Sequence, residues 1–366
     1  MRLFTRRSLC GLGVLGAIAV LPVVASSPAL ASGPALAGSP ALAGTPALAG
    51  PGSSLAAPAG GVARPPAALA ARLTAAAKAA PAAQGDSIVV VNSASFEGAD
   101  NNIVPSGAFL TLYTTQSVTD EPATSYPFPG TLSTPHGLTV QSDNCGNGLN
   151  TNLGILFAGP SGFGGTQINI YYPNAYQGGR NVEPFVCAGF DTTQFTVHAT
   201  NGAILRKLVQ IIRVRPGIFT ADSSGTGAPA GYHLNAWNGR STPITACNAD
   251  LTGTLCPVAT HGIQNFLVVF TTGAEMMGCP DFAVPCTLSF GSPTFYLGAP
   301  GTAAGAGVPQ GLTFFGWAGF VGQEQANVQI NPGTGAGEYV LSMTVPRFFF
   351  SSRQTLRVKL GSPTSA

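Results

Sequence analysis

Charge is what this 366-residue sequence has least of. Asp, Glu, Lys and Arg make up 8% of it, against about 25% in an ordinary soluble protein, so hydroxyls, amides and backbone must cover most of its surface. The charge is also unevenly placed. Residues before Asp86 carry Arg2, Arg6, Arg7, Arg64, Arg72 and Lys78 and no acid, which leaves ten basic and all 14 acidic residues beyond, a formal balance of −4. No basic stripe remains there to neutralise phosphates, which argues against nucleic acid as a partner. Helical patterning is lacking as well. Beyond residue 85 no amphipathic helix of useful length can be traced, and 48 Gly and 30 Pro interrupt the chain, as short strands and turns tolerate and helices do not.

One long apolar run is present. Leu9 to Val24 follows Arg2, Arg6 and Arg7 and leads into small residues, with Ala29-Leu30-Ala31 or Val24-Ala25-Ser26 as cleavage sites. This is the pattern of an export signal over 1–31, and Thr5-Arg6-Arg7-Ser8-Leu9 adds a twin-arginine look. An uncleaved membrane anchor is the competing assignment. Pro34-Ala35-Leu36-Ala37-Gly38 then recurs at Pro40 and Pro46. Proline every sixth residue forbids a continuous helix, so 32–85 reads as a disordered Pro/Ala/Gly tether, with a short alanine helix within 67–80.

From Asp86 the pattern turns to strands. Ile88 to Val91, Gln194 to Ala199, Tyr339 to Val345 and Thr355 to Leu360 are apolar or alternate with period two, as half-buried antiparallel strands must. Leu208 to Val214 is more continuously apolar and suggests a central strand. Two segments also recur. Phe109 to Thr115 resembles Phe266 to Thr272, and Gln167-Ile168-Asn169-Ile170 resembles Gln325-Ala326-Asn327-Val328, at separations of 58 and 59 residues. One β-unit duplicated, joined near Arg215-Pro216-Gly217-Ile218-Phe219, accounts for this. Ile168, Ile170, Ala326 and Val328 would then face a core. Gln167, Asn169, Gln325 and Asn327 share the opposite face, either tying down a neighbouring loop's backbone or meeting a ligand.

Several of these blocks together resemble a known family. Val91-Asn92-Ser93-Ala94-Ser95-Phe96, Ile155-Leu156-Phe157-Ala158, Arg215 to Thr220, and Phe320 to Val328 are similar, in order, to blocks of the Solibacter-type uncharacterised C-terminal domain of secreted bacterial proteins. The resemblance spans about 86–360 and implies an extracellular Ig-like β-sandwich module with no established activity. It brings no catalytic residue to transfer. The chain departs from the family in six cysteines beyond the signal and in insertions around 246–260 and 276–307.

Cys10 lies in the export signal. Cys145, Cys187, Cys247, Cys256, Cys279 and Cys286 remain, an even count that reads as three disulfides in an exported chain. Of the 15 connectivities open to six cysteines, sequence proximity favours Cys247 with Cys256, Cys279 with Cys286, and Cys145 with Cys187. No pair has C-x-x-C spacing, which weighs against zinc.

Catalytic patterns are scarce. Ser161 misses the nucleophile elbow because Phe163 stands where it needs Gly. His136, His198, His233 and His261 show no ligand or triad spacing. The acids are scattered apart from Asp120-Glu121, and Asp143 to Gly148 lacks the second carboxylate and closing Glu of a calcium loop. No phosphate-binding glycine loop precedes a helix. Trp237 and Trp317, with Phe314, Phe315 and Phe320, compose either a sugar-stacking platform or ordinary core.

The expectation is therefore an all-β chain: two tandem Ig-like β-sandwich repeats at 86–216 and 217–360, a tail at 361–366, and the export signal and tether ahead of them. Its expected role is a secreted or cell-surface binding, adhesion or scaffolding module, not an enzyme and with no cofactor. Extracellular polysaccharide or a surface protein is the expected partner, and the membrane is touched only through the export signal. An extracellular hydrolase with its site in the second-repeat insertions, or a spacer without a ligand, are the alternatives.

Overall fold

Alternation of apolar and polar residues becomes, in a computed structural model, an all-β arrangement with twenty strands among the described residues. The structure describes residue 71 and residues 87–99, 101–120, 124–125, 137–143, 150–161, 164–172, 191–212, 214–235, 239–249, 265–274, 292–317, 323–345 and 352–361. The expected export signal, nearly all of the tether, and Trp237, Phe320, His136, His261 and every cysteine but Cys247 lie outside these residues. All described residues belong to one compact unit, Ser54–Ala366. No described helix is long and apolar enough to cross a membrane.

Among the described residues four sheets form, and none mixes strands from the two sides of residue 216. Sheet I orders β1 (Ile88–Asn92), β3 (Ala108–Thr114), β8 (Thr166–Tyr172), β7 (Gly154–Pro160) and β4 (Thr124–Ser125). Sheet II orders β2 (Ile103–Pro105), β10 (Ile204–Ile212), β9 (Asp191–His198), β5 (Thr139–Ser142) and β6 (Thr151–Asn152). Sheet III orders β13 (Ser241–Pro243), β12 (Gly231–Asn235), β14 (Asn265–Thr272), β18 (Glu324–Gln329) and β17 (Gly311–Trp317), with β11 (Gly217–Ile218) also on β14. Sheet IV orders β16 (Val308–Pro309), β15 (Thr294–Gly298), β19 (Gly337–Thr344) and β20 (Leu356–Leu360).

Two separate cores result. Sheets I and II enclose Val90, Leu110, Ile168, Ile170, Phe195 and Ile211 among others. Sheets III and IV enclose Leu267, Ala326, Val328, Phe295, Leu341 and Val358. Sheet pairs closing on one apolar layer are sandwiches. The apolar run from Leu208 is flanked on both sides at Gln210 and Ile211 and buried at Val209, Ile211, Ile212 and Val214, but it opens at its start. Leu208 is 58% exposed and Ile204 41%. The short β2 flanks β10 only at Gln210 to Ile212, so the first half of β10 is an edge with an open outer face.

One short helix occurs beyond residue 85 among the described residues. α1 (Ile244–Ala249) is one and a half turns long and buries Ile244 and Cys247. It presents Asn248 to the outer edge of β20. The Asn248 amide donates to Arg357 O (2.8 Å) and its Oδ1 accepts from Lys359 N (2.8 Å), the two bonds a neighbouring strand would make. Open strand edges invite pairing with other chains. Asn248→Ala is expected to cost about 1 kcal/mol, since water replaces both bonds, and to increase self-association. Denaturant melts and light scattering check the two effects.

The sandwiches meet in a polar joint built from the blocks at Asn92–Glu97 and Arg215–Gly225. Gln354 is its centre. Its Oε1 accepts from Ile218 N (2.8 Å), while its amide protons are shared among Ala94 O (3.0 Å), Ile218 O (3.1 Å) and Gly225 O (2.9 Å). Beside it, Asn92 Nδ2 donates to Arg215 O (3.0 Å). Arg215 in turn donates from Nε to Glu97 Oε2 (2.8 Å) and from a terminal nitrogen to Ile103 O (2.7 Å). Glu97 Oε1 also accepts from Arg353 N (2.7 Å). Gly217 is required here, because a Cβ would lie 2.8 Å from Asn92 Oδ1 and 3.0 Å from the Ala94 Cβ. Phe219 reaches from this joint onto the outer face of sheet I, its ring 6.1 Å from that of Phe109.

Candidate functional site

The recurring segments occupy matching places. In sheet I the register pairs Leu110 with Ile170, Thr111 with Asn169, Leu112 with Ile168 and Tyr113 with Gln167. In sheet III it pairs Leu267 with Val328, Val268 with Asn327, Val269 with Ala326 and Phe270 with Gln325. The third strand matches as well. β7 carries an irregularity between Ile155 and Phe157, and β17 one between Leu312 and Phe314, at the same level. Phe157 and Phe314 thus each lie opposite the Asn of the Gln-x-Asn pair.

Within each Gln-x-Asn pair the two amides bond to one another. In β8, Gln167 Nε2 donates to Asn169 Oδ1 at 2.9 Å, and in β18 Gln325 Nε2 donates to Asn327 Oδ1 at 2.8 Å. Residues two apart on a strand share a face, so each pair forms a short amide ladder along its own strand. What differs is the cover. On sheet I, Asn169 Oδ1 also accepts from the Thr111 hydroxyl, which meets Ser93 Oγ, and all of β3 and β8 is buried. Phe96 packs against Tyr113 there, and Phe219 against Phe109 and Tyr171.

On sheet III the corresponding face is half-exposed. Register places three rows across four strands: Leu234, Phe266, Gln329 and Gly311; Tyr232, Val268, Asn327 and Phe314; then Phe270, Gln325 and Gly316 toward the joint. Every side chain in these rows is half-buried, and none carries a charge. Phe314 lies back along its strand, so that a Cβ on Gly316 would sit 2.7 Å from the ring Cζ. The ring therefore follows the sheet surface rather than standing off it. Asn327 Nδ2, Gln325 Oε1 and the Gln329 side-chain amide protons have no partner among the described residues. Flat aromatic surface with free amide donors and acceptors can hold a ligand by stacking and hydrogen bonding.

Of the expected platform residues, Phe314 lies on this face. Phe315 does not: it turns inward at 7% exposure and packs in the second core, because adjacent strand residues point to opposite faces. Trp317 stands opposite Glu324 in the register, and its side chain, with Trp237 and Phe320, lies outside what is described. Tyr232, Phe266, Val268 and Phe270 were missed in the sequence. The match of Phe270 to Tyr113 was the available signal, whereas Tyr232 needed the cross-strand register.

Other candidates are accounted for locally. Asp143 Oδ1 accepts from the Thr193 hydroxyl (2.7 Å) and Gln194 N (2.8 Å), so it braces β9, and 144–149 lie outside the described residues. His198 Nε2 pairs with Gln141 Oε1 at 3.1 Å. His233 is buried on the core side of β12, where burial pulls its imidazole down to about 4. Ser161 is buried in a turn, its backbone N–H bonded to Gly165 O. Cys247 is buried and disulfide-bonded to a residue outside those described. Among the described residues no three His, Cys, Asp or Glu side chains gather as a metal site. A shallow cleft lies at Asn248, Glu338, Tyr339, Arg357 and Lys359, where Glu338 pairs with Lys359 (3.1 Å) and Arg357 (3.4 Å).

No family model matches this chain, and no curated protein does. Among solved structures, a viral chemokine binding protein, R17, encoded by rodent gammaherpesvirus Peru, aligns over 70% of this chain and 88% of that one, at 8% identity and a TM-score of 0.10. A likeness that slight carries no argument about either fold or role.

Proposed function

We propose that this chain is a non-catalytic binding or adhesion module of the cell exterior, with the outer face of sheet III as its recognition surface. One observation carries the reading. The same sheet face, built from matching residues, is fully covered by the chain itself in the first sandwich and left half-exposed in the second. A face rich in Phe, Tyr and Val is not left open without a cost in solvation, and such patches mark interaction sites.

Several further assignments belong to the same proposal. The sandwiches are Ig-like repeats that arose by duplication, a reading supported by their shared register and shared strand irregularity. Membership of the Solibacter-type family is part of this proposal and rests on the resemblance of sequence blocks, two of which, around Asn92 and Arg215, meet in one joint. Export, the tether and three disulfides complete the picture of a module held outside the cell.

The test is attachment of the full chain to arrays of extracellular glycans and proteins. Phe314→Ser and Tyr232→Ser are each expected to weaken attachment by about tenfold, the loss of one aromatic contact, with little change in stability. Attachment unchanged in both variants rules out this face. The stiff, densely hydrogen-bonded joint favours a second reading, a structural spacer without a ligand. Failure of the wild-type chain to attach to anything on the arrays would support the spacer.

A further inference from the structure

We infer that the ligand of this face is a neutral polysaccharide chain, bound along β18 between the Phe314 side and the Tyr232 side. The inference rests on the reading of sheet III's outer face as a recognition surface and adds what that surface takes.

Charge decides first among the polymers. A polyanion such as nucleic acid or a sulfated glycan needs cations opposite its charges, and no row of this face holds one. Hydrogen bonding decides next. Gln325, Asn327 and Gln329 succeed one another on one side of β18, at about 6.8 Å intervals. Gln325 uses one of its two N–H groups on Asn327, which leaves a donor and the carbonyl acceptor on Gln325 and both donors on Asn327, and Gln329 adds a whole amide. A ligand meeting this ladder must offer donors and acceptors densely along its length without ionic groups. Repeating hydroxyls have that property, since each is donor and acceptor at once.

Shape decides last. The amides are flanked by apolar surface on both sides: Val268 and Tyr232 across β14 and β12, and Phe314 across β17. With Gly316 beneath it, the Phe314 ring stays close to the sheet. The result is a nearly flat field, roughly 14 Å across four strands and roughly 14 Å along them. The apolar faces of pyranose rings can lie on such a field while their equatorial hydroxyls reach the amides. A folded protein partner, by contrast, gains most of its affinity from side chains seated in pockets, whereas the rows of this face present half-buried side chains lying along the sheet. Phe157 and the Gln167–Asn169 pair do not compete, because they are covered.

Affinity electrophoresis of the full chain tests this, in gels containing xyloglucan, glucomannan, mixed-linkage glucan or dextran, with alginate as the charged control. Depletion by suspended cellulose and chitin covers the insoluble polymers. At least one neutral polymer is expected to retard or deplete the chain, equally at low and high salt. Asn327→Leu and Gln325→Leu keep the surface apolar and are each expected to reduce that effect by about tenfold, the loss of a hydrogen bond left unmade. Melting temperatures of both variants confirm folding. Retention by alginate alone, retention abolished by salt, or retention by a neutral polymer that survives both substitutions overturns the inference. If no neutral polymer binds while Phe314→Ser still abolishes attachment to an arrayed protein, the polysaccharide assignment falls and the recognition face stands. If Phe314→Ser alters nothing on any array, both fall.

Discussion

Replacing Glu324 with Gln is expected to abolish a loss of stability that the wild-type chain suffers between pH 6.5 and 8. Glu324 begins β18 on the core side, is 1% exposed and pairs in register with Thr271. Its Oε2 accepts from the Thr271 hydroxyl (2.8 Å) and its Oε1 from Ala274 N (3.1 Å), which fixes the chain as it leaves β14. No cation stands against it among the described residues. Burial outweighs the two hydrogen bonds and pushes its carboxyl from 4.5 up to about 8. In the unfolded chain the same group ionises from about 4.5 upward, so rising pH favours unfolding. Stability from this group is fully present below about 4.5 and declines until pH passes about 8, by on the order of 3–5 kcal/mol.

His233 works in the opposite direction. Burial lowers its folded value to about 4 from 6.5, so its stability is present above 6.5 and lost as pH falls toward 4. The two slopes oppose each other between about 4.5 and 6.5 and leave only the decline above that window. No other resolved shift among the described residues falls between these limits. Denaturant melts across pH 4 to 9 should therefore give a plateau and then a fall in the wild type. Glu324→Gln should give a rise to about 6.5 and then a plateau, because the Gln carbonyl keeps the Ala274 bond and its amide can donate to Thr271. A fall above 6.5 that persists in the variant would show that Glu324 is not its source. The first sandwich has no carboxyl at the matching position. There Thr166 Oγ1 accepts from Val118 N at 3.0 Å, and a neutral hydroxyl does the same work.

The second large effect concerns the joint. Gln354→Ala leaves Ile218 N without its partner and removes the donor shared by Ala94 O, Ile218 O and Gly225 O, all in buried surroundings. Each buried group so orphaned costs about 1–3 kcal/mol, offset where water enters, and a total of about 3–5 kcal/mol is expected. The loss falls on the contact between two separate cores. Calorimetry should accordingly show one cooperative transition in the wild type and two in the variant. Gln354→Glu provides the control. At neutral pH it sets a carboxylate against three carbonyl oxygens and should be at least as damaging, with partial recovery in acid as the protonated group regains a donor. A single unshifted transition in Gln354→Ala would mean that the apolar contacts around Phe219 hold the sandwiches together unaided.

How far the chain could be read without coordinates differs from residue to residue. Alternation at Gln194 to Ala199 and at Tyr339 to Val345 located strands, and Ile168, Ile170, Ala326 and Val328 were assignable to a core face from their neighbours alone. Phe314 and Phe315 show the limit. The two are adjacent and chemically identical, and only the register against Asn327 and Ala326 sends one outward and the other inward. The helix at Ile244–Ala249 was invisible because six residues are too few to establish a period, and its hold on β20 comes through Asn248, 109 residues from Arg357.

The amino-acid order by itself determined that this protein would be built of sheets, which residues alternate toward a core, and that one strand pattern occurs twice. These follow from side-chain direction and chemistry, which are local. The tertiary structure alone decided which of the two matching faces is open. Gln167-x-Asn169 and Gln325-x-Asn327 have the same residues, the same register and the same internal bond, yet one pair is buried and the other half-exposed. The difference lies in what stands across from them. Ser93, Phe96 and Phe219 cover the first face, and contacts of that kind join residues far apart in the chain, such as Gln354 with Ala94 at a separation of 260, which no local pattern encodes.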